Sequence, residues 1–222
     1  KYGISPNTNV KIHSISRESG DWHNQLNWIN NYGLHPGIIS ISTGTDLLGN
    51  NNIILDEIEK LMIQMTSKGF IFVISSGGNF KGPNFPYPNG YPNSHCNTEF
   101  PRNFYKNDNI SIVITSPVGI NNQVDPYVNT GDCVDFFVKI DDIYYLNSEN
   151  DFGGELSSSG LASSPTAPYV AGLIANIMID AKYRKFTPKQ IKQLLVDNSI
   201  KNLVKDKNGN LLLDQEGRDN QL

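Results

Sequence analysis

Three short stretches of small and polar residues are placed where chemistry could sit. The first is Ser163-Ser164-Pro165-Thr166-Ala167-Pro168-Tyr169-Val170-Ala171-Gly172, a polar loop that runs straight into an apolar helical segment. A hydroxyl at such a junction lies beside unpaired backbone N–H groups and the positive end of the helix dipole. Ser164 is therefore well placed to act as a nucleophile whose intermediate needs an oxyanion partner. The same residues also read as an ordinary helix start, with Ser164 as N-cap and Pro165 at the first helical position. The second stretch, Phe72-Val-Ile-Ser-Ser-Gly-Gly-Asn79, is a buried strand that ends in small residues and then an amide. Small side chains at the carboxyl end of a parallel strand leave room for a substrate in the crevice where open α/β sheets bind ligands. Asn79 adds a side-chain N–H donor, although Gly-Gly-Asn is equally a common turn. The third, Ile41-Ser42-Thr43-Gly44, is another strand with a small-residue end and carries no chemistry alone.

One parallel sheet would bring these ends together, and the periodicity predicts one. Val10–Ile15 alternates like a strand. Residues 21–31 then place Trp22, Leu26, Ile29 and, on the flank, Trp28 at helical spacing. Gly33 and Pro36 break that helix, and Ile38–Ser42 reads as a short buried strand. Ile54, Ile58, Leu61, Met62 and Met65 recur at three and four, giving an amphipathic helix closed by Gly69 in the left-handed region. Phe70–Ser75 is almost continuously apolar, as in a strand covered on both faces. The order strand–helix–strand–helix–strand is that of βαβ units. Residues 77–109 are rich in Gly, Pro and Asn and read as one long structured loop, a length that usually serves a function. Strands return at Ile110–Thr115 and Val134–Val138, a long apolar helix runs over 167–179, and a last one runs from Thr187-Pro188 to about Asp197. Asn208-Gly209 suits a terminal hairpin. Asp206, Asn208 and Asn210 have the spacing that opens an EF-hand loop, but its glycine and final glutamate are missing, which argues against calcium there.

Composition excludes several classes. The 222 residues suffice for one α/β domain, or most of one. No apolar run is long enough to span a membrane. Eighteen Lys and Arg against 22 Asp and Glu leave a net charge of −4 with no basic cluster for nucleic acid. Ten Phe and ten Tyr argue against wholesale disorder. Cys96 and Cys133 are too few for a zinc site, and a disulfide or two free thiols both remain open. Asn109-Ile110-Ser111 is a possible glycosylation acceptor. There are no repeats and no domain boundary.

In order and spacing the chain resembles the subtilisin-like serine proteases, the subtilases, over nearly its whole length. That family's Gly-Thr-Ser-x-Ala-x-Pro-His-Val-Ala-Gly motif is matched by Ala162 to Gly172, which puts Ser164 on the catalytic serine. Ala-Ala-Gly-Asn resembles Ser76-Gly77-Gly78-Asn79 and puts Asn79 on the oxyanion-hole asparagine. Asn-Met-Ser-Leu-Gly resembles Ser40-Ile41-Ser42-Thr43-Gly44. The resemblance implies that Ser42, Thr43 and Gly44, with Ser76, Gly77 and Gly78, wall the primary specificity pocket. Tyr2-Gly3-Ile4-Ser5-Pro6-Asn7 and the Val10 strand look like the family's Gly-Val-Ala-Pro segment and the strand after it. Trp28 falls where the family's helix often carries a Trp.

The implied fold is α/β: a mostly parallel sheet with helices on both faces, residues 1–222 forming a partial peptidase domain without its N-terminal part. Pro165 replaces a usual Met and Tyr169 a usual His, and neither change removes a catalytic atom. The catalytic Asp and the His-Gly-Thr-His motif, which the family places before the segment at Tyr2, are not found. His13, His23, His35 and His95 have no His-Gly neighbour and read as structural. A serine without a base is a poor nucleophile. The chain alone is therefore expected to be inactive, with an upstream segment of the same protein supplying His and Asp. The alternative is a pseudoprotease that binds or regulates. The expected partner is a protein or peptide substrate, with neither nucleic acid nor a membrane span. No cofactor is evident; structural calcium and an extracellular or secretory location rest on the resemblance only.

Overall fold

In this computed structural model the described residues are 22–42, 44–46, 52–78, 96, 99–119, 121–124, 128–139, 144–146, 156–158, 163–206 and 208–212. The expected strand at Val10–Ile15 and the segment at Tyr2–Asn7 lie outside them. Four helices and eight strands are described: α1 Trp22–Tyr32, β1 Gly37–Ile41, β2 Thr45–Asp46, α2 Asn52–Ser67, β3 Phe70–Ser75, β4 Glu99–Phe100, β5 Ile112–Val118, β6 Phe136–Lys139, β7 Tyr144–Leu146, β8 Leu156–Ser158, α3 Thr166–Ile177 and α4 Pro188–Asn198. Strands β1, β3, β5 and β6 form a parallel sheet in the order β1-β3-β5-β6. Two antiparallel pairs, β2 with β4 and β7 with β8, lie outside it.

The side-chain period of two in a strand explains why the central strands are apolar throughout. In β3, Phe70, Phe72 and Ile74 point to one face and meet Leu26 of α1 with Ile58, Met62 and Met65 of α2. Ile71 and Val73 point to the other and meet Ala167, Val170 and Ile174 of α3 with Ile191 and Leu195 of α4. Strand β5 repeats the division, Ile112 and Ile114 on the first face and Val113 on the second. Helices therefore cover both faces, as expected for this fold class. Burying each such side chain contributes about 1.5–3 kcal/mol.

Local chemistry sets the element ends. Gly69 takes φ +97, and its N–H closes α2 by donating to the Thr66 carbonyl at 3.0 Å, a conformation that costs glycine little. Thr187 caps α4 with Pro188 behind it and with a reciprocal bond from the Gln190 side chain. Strand β5 runs on past the expected end at Thr115, through Pro117 to Val118. The carbonyls of Ser111 and Thr115 face β3, so Pro117, two residues on, turns its missing N–H toward ground where β3 has already stopped at Ser75. Strand β6 runs Phe136–Lys139, starting two residues after the expected Val134, whose N–H closes a turn to the Gly131 carbonyl, while the Asp135 N–H already donates to the Ile114 carbonyl of β5.

The stretch read as one loop over 77–109 contains β4 and a short 3-10 helix at Arg102–Lys106 that packs against β5. Cys96 and Cys133 are joined in a disulfide, with Cα atoms 6.0 Å apart, which resolves the open choice against free thiols. The terminal hairpin forms around Gly209, and Lys205 pairs with Leu211. Asp206 accepts the backbone N–H groups of Asn210 and Asn208, and these bonds hold its carboxyl below the usual carboxylate range.

Candidate active site

Register sets the site. Ile41 lies beside Ile74, so the next residues, Ser42 and Ser75, stand level at the carboxyl ends of β1 and β3. Ser75 lies beside Thr115 of β5. Alternation turns Ser42, Ser75 and Thr115 toward the face that α3 covers. A row of hydroxyls therefore crosses three neighbouring strands directly beneath the residues that lead into α3.

Ser164 meets this row at Ser42. The Ser42 hydroxyl donates to the Ser164 carbonyl at 2.6 Å, and the Ser164 hydroxyl donates to the Ser42 carbonyl at 3.4 Å. Two segments 122 residues apart are thus linked in both directions. The helix starts one residue before the expected Ala167 and ends at Ile177 instead of 179, and the reading of Ser164 as its N-cap is not met. Thr166 is its first residue, and Pro165 takes the cap position with αR dihedrals and accepts the Tyr169 N–H at 3.2 Å. Proline disfavours the α region in the residue before it, so Ser164 stays outside the helix. Its hydroxyl does not cap α3, which has no side-chain cap bond. It is held instead at the partly exposed turn facing Ser42.

The glycine turn after β3 is built from the inside. Ser76 is fully buried. Its N–H donates to the Thr115 carbonyl at 2.7 Å, and its hydroxyl points inward at the Ser116 hydroxyl, 3.1 Å away. Any wall made by Ser76 is therefore backbone. Gly77 sits at φ +80, a left-handed conformation, and a Cβ there would stand 3.0 Å from the Asn129 amide nitrogen and 3.1 Å from the Arg102 guanidinium carbon. Its carbonyl accepts the Asn129 N–H at 3.0 Å, and Gly78 pairs with Val128 in an antiparallel bridge. Gly44 is half-buried just before β2. Asn79 and Thr43 lie outside the described residues, as does Ala162.

Arg102 was not singled out by sequence reasoning. Its side chain is 1% exposed, and its Nε donates to the Ser75 carbonyl at the end of β3. Nothing in a Pro- and Asn-rich stretch signals a buried guanidinium. Arg102 lies on the 3-10 helix that follows Pro101.

Neither of the two described histidines is hydrogen-bonded to Ser164. His35 precedes β1 at the amino end of the sheet, where its ring meets Phe70. The five residues of β1, at about 3.3 Å each, separate it from Ser42. His23 lies in the first turn of α1, and among the described residues no hydrogen bond joins it to Ser164. His13 and His95 lie outside the described residues. Among the described residues no three His, Cys, Asp or Glu side chains gather as metal ligands would, so calcium is assigned no ligands here. None of the helices is long and apolar enough to cross a membrane among those residues.

Comparison with known proteins gives the family and the fold. The family model described as the Subtilase family matches residues 3–218. No curated protein sequence matches the chain. Among solved structures, one described as the crystal structure of a cold adapted subtilisin-like serine proteinase superimposes with a TM-score of 0.60 at 18% identity. The match covers 88% of this chain and 58% of that one. At that identity the likeness speaks for the fold, and the chain spans less than two thirds of that proteinase's length. Since the family model covers almost every residue from the opening Gly3 to the tail beyond the last hairpin, the chain belongs to the subtilase family.

Proposed function

We propose that this chain carries the nucleophile and oxyanion side of a subtilisin-type serine endopeptidase. The observation that supports it most is the reciprocal contact of Ser42 and Ser164, which sets a partly exposed serine hydroxyl at the carboxyl end of a parallel sheet. In this reading Ser164 Oγ attacks the scissile carbonyl. The Asn79 side chain and the Ser164 backbone N–H stabilise the oxyanion, and a His and Asp from an upstream segment supply and orient the base. Ser42, Thr43, Gly44, Gly77 and Gly78, with the backbone of Ser76, wall the pocket for the residue before the cut. Small side chains and no carboxylate in those two segments favour a medium or large, uncharged residue there.

At 3.4 Å the Ser164–Ser42 bond is weak, so a base can take the hydroxyl proton without first breaking a strong contact. The bond from Ser42 to the Ser164 carbonyl is short and keeps the backbone in place meanwhile. The substrate is a protein or peptide, and the compartment is an oxidising one, in which the Cys96–Cys133 bridge persists. Peptide-library cleavage by the full-length protein tests this reading. Replacing Asn79 with Ala is expected to lower kcat about 10²–10³-fold, and residues 1–222 alone are expected to show no cleavage. Dominant cleavage after Arg or Lys would overturn the pocket assignment. A full-length protein lacking the His and Asp would point instead to a pseudoprotease.

A further inference from the structure

Thr166 stands where the family motif quoted above has alanine, and Thr115 faces it from β5. Both side chains are fully buried. Their hydroxyls are 2.8 Å apart, and Thr166 Oγ1 also lies 2.7 Å from the Ser163 carbonyl and 3.2 Å from the Thr115 carbonyl. A hydroxyl has one proton to give. The shortest bonds make one consistent chain: Thr115 Oγ1 donates to Thr166 Oγ1, and Thr166 Oγ1 donates to the Ser163 carbonyl. That carbonyl also accepts the Thr166 N–H at 3.1 Å, which closes a four-residue turn with Ser164 and Pro165 at its centre. Proline has no N–H to compete for the acceptor. Thr115 reaches the other half of the site as well, because its carbonyl accepts the Ser76 N–H at 2.7 Å.

The geometry points to Thr115 and Thr166 as positioning residues that lock the Ser164 turn to the end of β3. One residue of β5 is bonded both to the turn bearing the nucleophile and to the strand end that leads through Gly77 and Gly78 to Asn79. The hydroxyl pair is directional, so it holds the turn at a set height above the sheet where an apolar pair would permit sliding. Displacement of a reacting group by about 1 Å can cost a hundredfold in rate. The rate consequence rests on the proposed peptidase function; the locking of the turn does not.

Two measurements on the full-length protein test this. The first is labelling by a fluorophosphonate probe, separated into probe affinity and maximal labelling rate. Thr166→Val keeps the shape and removes the hydroxyl; it is expected to lower the maximal rate about 10–100-fold with affinity unchanged. Thr166→Ser is expected to restore most of it. Thr115→Val is expected to have a similar effect, and the double variant to be no worse than either single one, since the two act as a unit. A folded Thr166→Val protein that labels at the wild-type maximal rate would overturn the proposal. Should Val not fold there, Thr166→Ala, smaller than the native side chain, decides by the same criterion. The second measurement is amide hydrogen exchange over residues 163–170. Faster exchange confined to this segment in Thr166→Val is expected, and unchanged exchange would overturn the locking role whatever the activity. If the wild-type protein does not label, the peptidase reading fails and the exchange result still decides the lock.

Discussion

Strands β3 and β5 change character along their length while their burial does not. From Phe70 to Ile74 and from Ile112 to Ile114 the side chains are apolar and divide cleanly between the two helical layers. At Ser75, Ser76, Thr115 and Ser116 they are hydroxyls, and every one of them is as deeply buried as the phenylalanines. The first region is held by area, which has no direction. The second, the Ser75 hydroxyl apart, is held by hydrogen bonds, which have one. Packing alone makes the sheet; the hydroxyl-bearing ends decide where the loops above it stand.

If the apolar region is stabilised by filled volume, the largest stability loss belongs there. Phe72→Ala, in the middle of β3, is expected to cost about 3–5 kcal/mol, read from chemical denaturation. Breaking the Cys96–Cys133 bridge by Cys133→Ser is expected to cost about 4 kcal/mol of unfolding free energy. The bridge joins cysteines 37 positions apart and closes a segment that includes Arg102 and Thr115, and this cost comes mainly from the unfolded chain. Gly77→Ala sharpens the comparison at the polar end. An alanine must adopt φ +80 and meet the Arg102 guanidinium, so a loss of about 2 kcal/mol is expected. The smallest effect is set at Ser75. Among the described residues its buried hydroxyl has no hydrogen-bond partner, so Ser75→Ala is expected to be neutral or stabilising by up to about 1 kcal/mol. A clear loss there would mean that the hydroxyl row works differently from the account given.

The same contrast explains what the sequence disclosed. The apolar run Phe70–Ile74, the helical spacing of Ile58, Met62 and Met65, Gly69 and Thr187-Pro188 each carry a local signal, and the elements they predict are present. The meeting of the Ser42 and Ser164 segments follows from the parallel order of the strands. The Thr115–Thr166 contact spans 51 residues, and neither threonine differs locally from a surface one. Arg102 resembles any loop arginine until the end of β3 is folded against it. Helix α3 begins at Thr166, between the two starts the sequence offers at Pro165 and Ala167, because the two prolines and small residues there give no sharp local signal. Pairing of the cysteines could not be read from two residues with no spacing rule between them. Asn79 and Thr43 stay expectations, since they lie outside the described residues.

The most direct test of the central claim is labelling of the full-length protein by a fluorophosphonate probe, beside a Ser164→Ala control and beside residues 1–222 alone. The account predicts that the full-length protein labels, that the Ala variant does not while melting as the wild type does, and that residues 1–222 alone do not label. Labelling that survives Ser164→Ala, or none in a folded full-length protein, would contradict it.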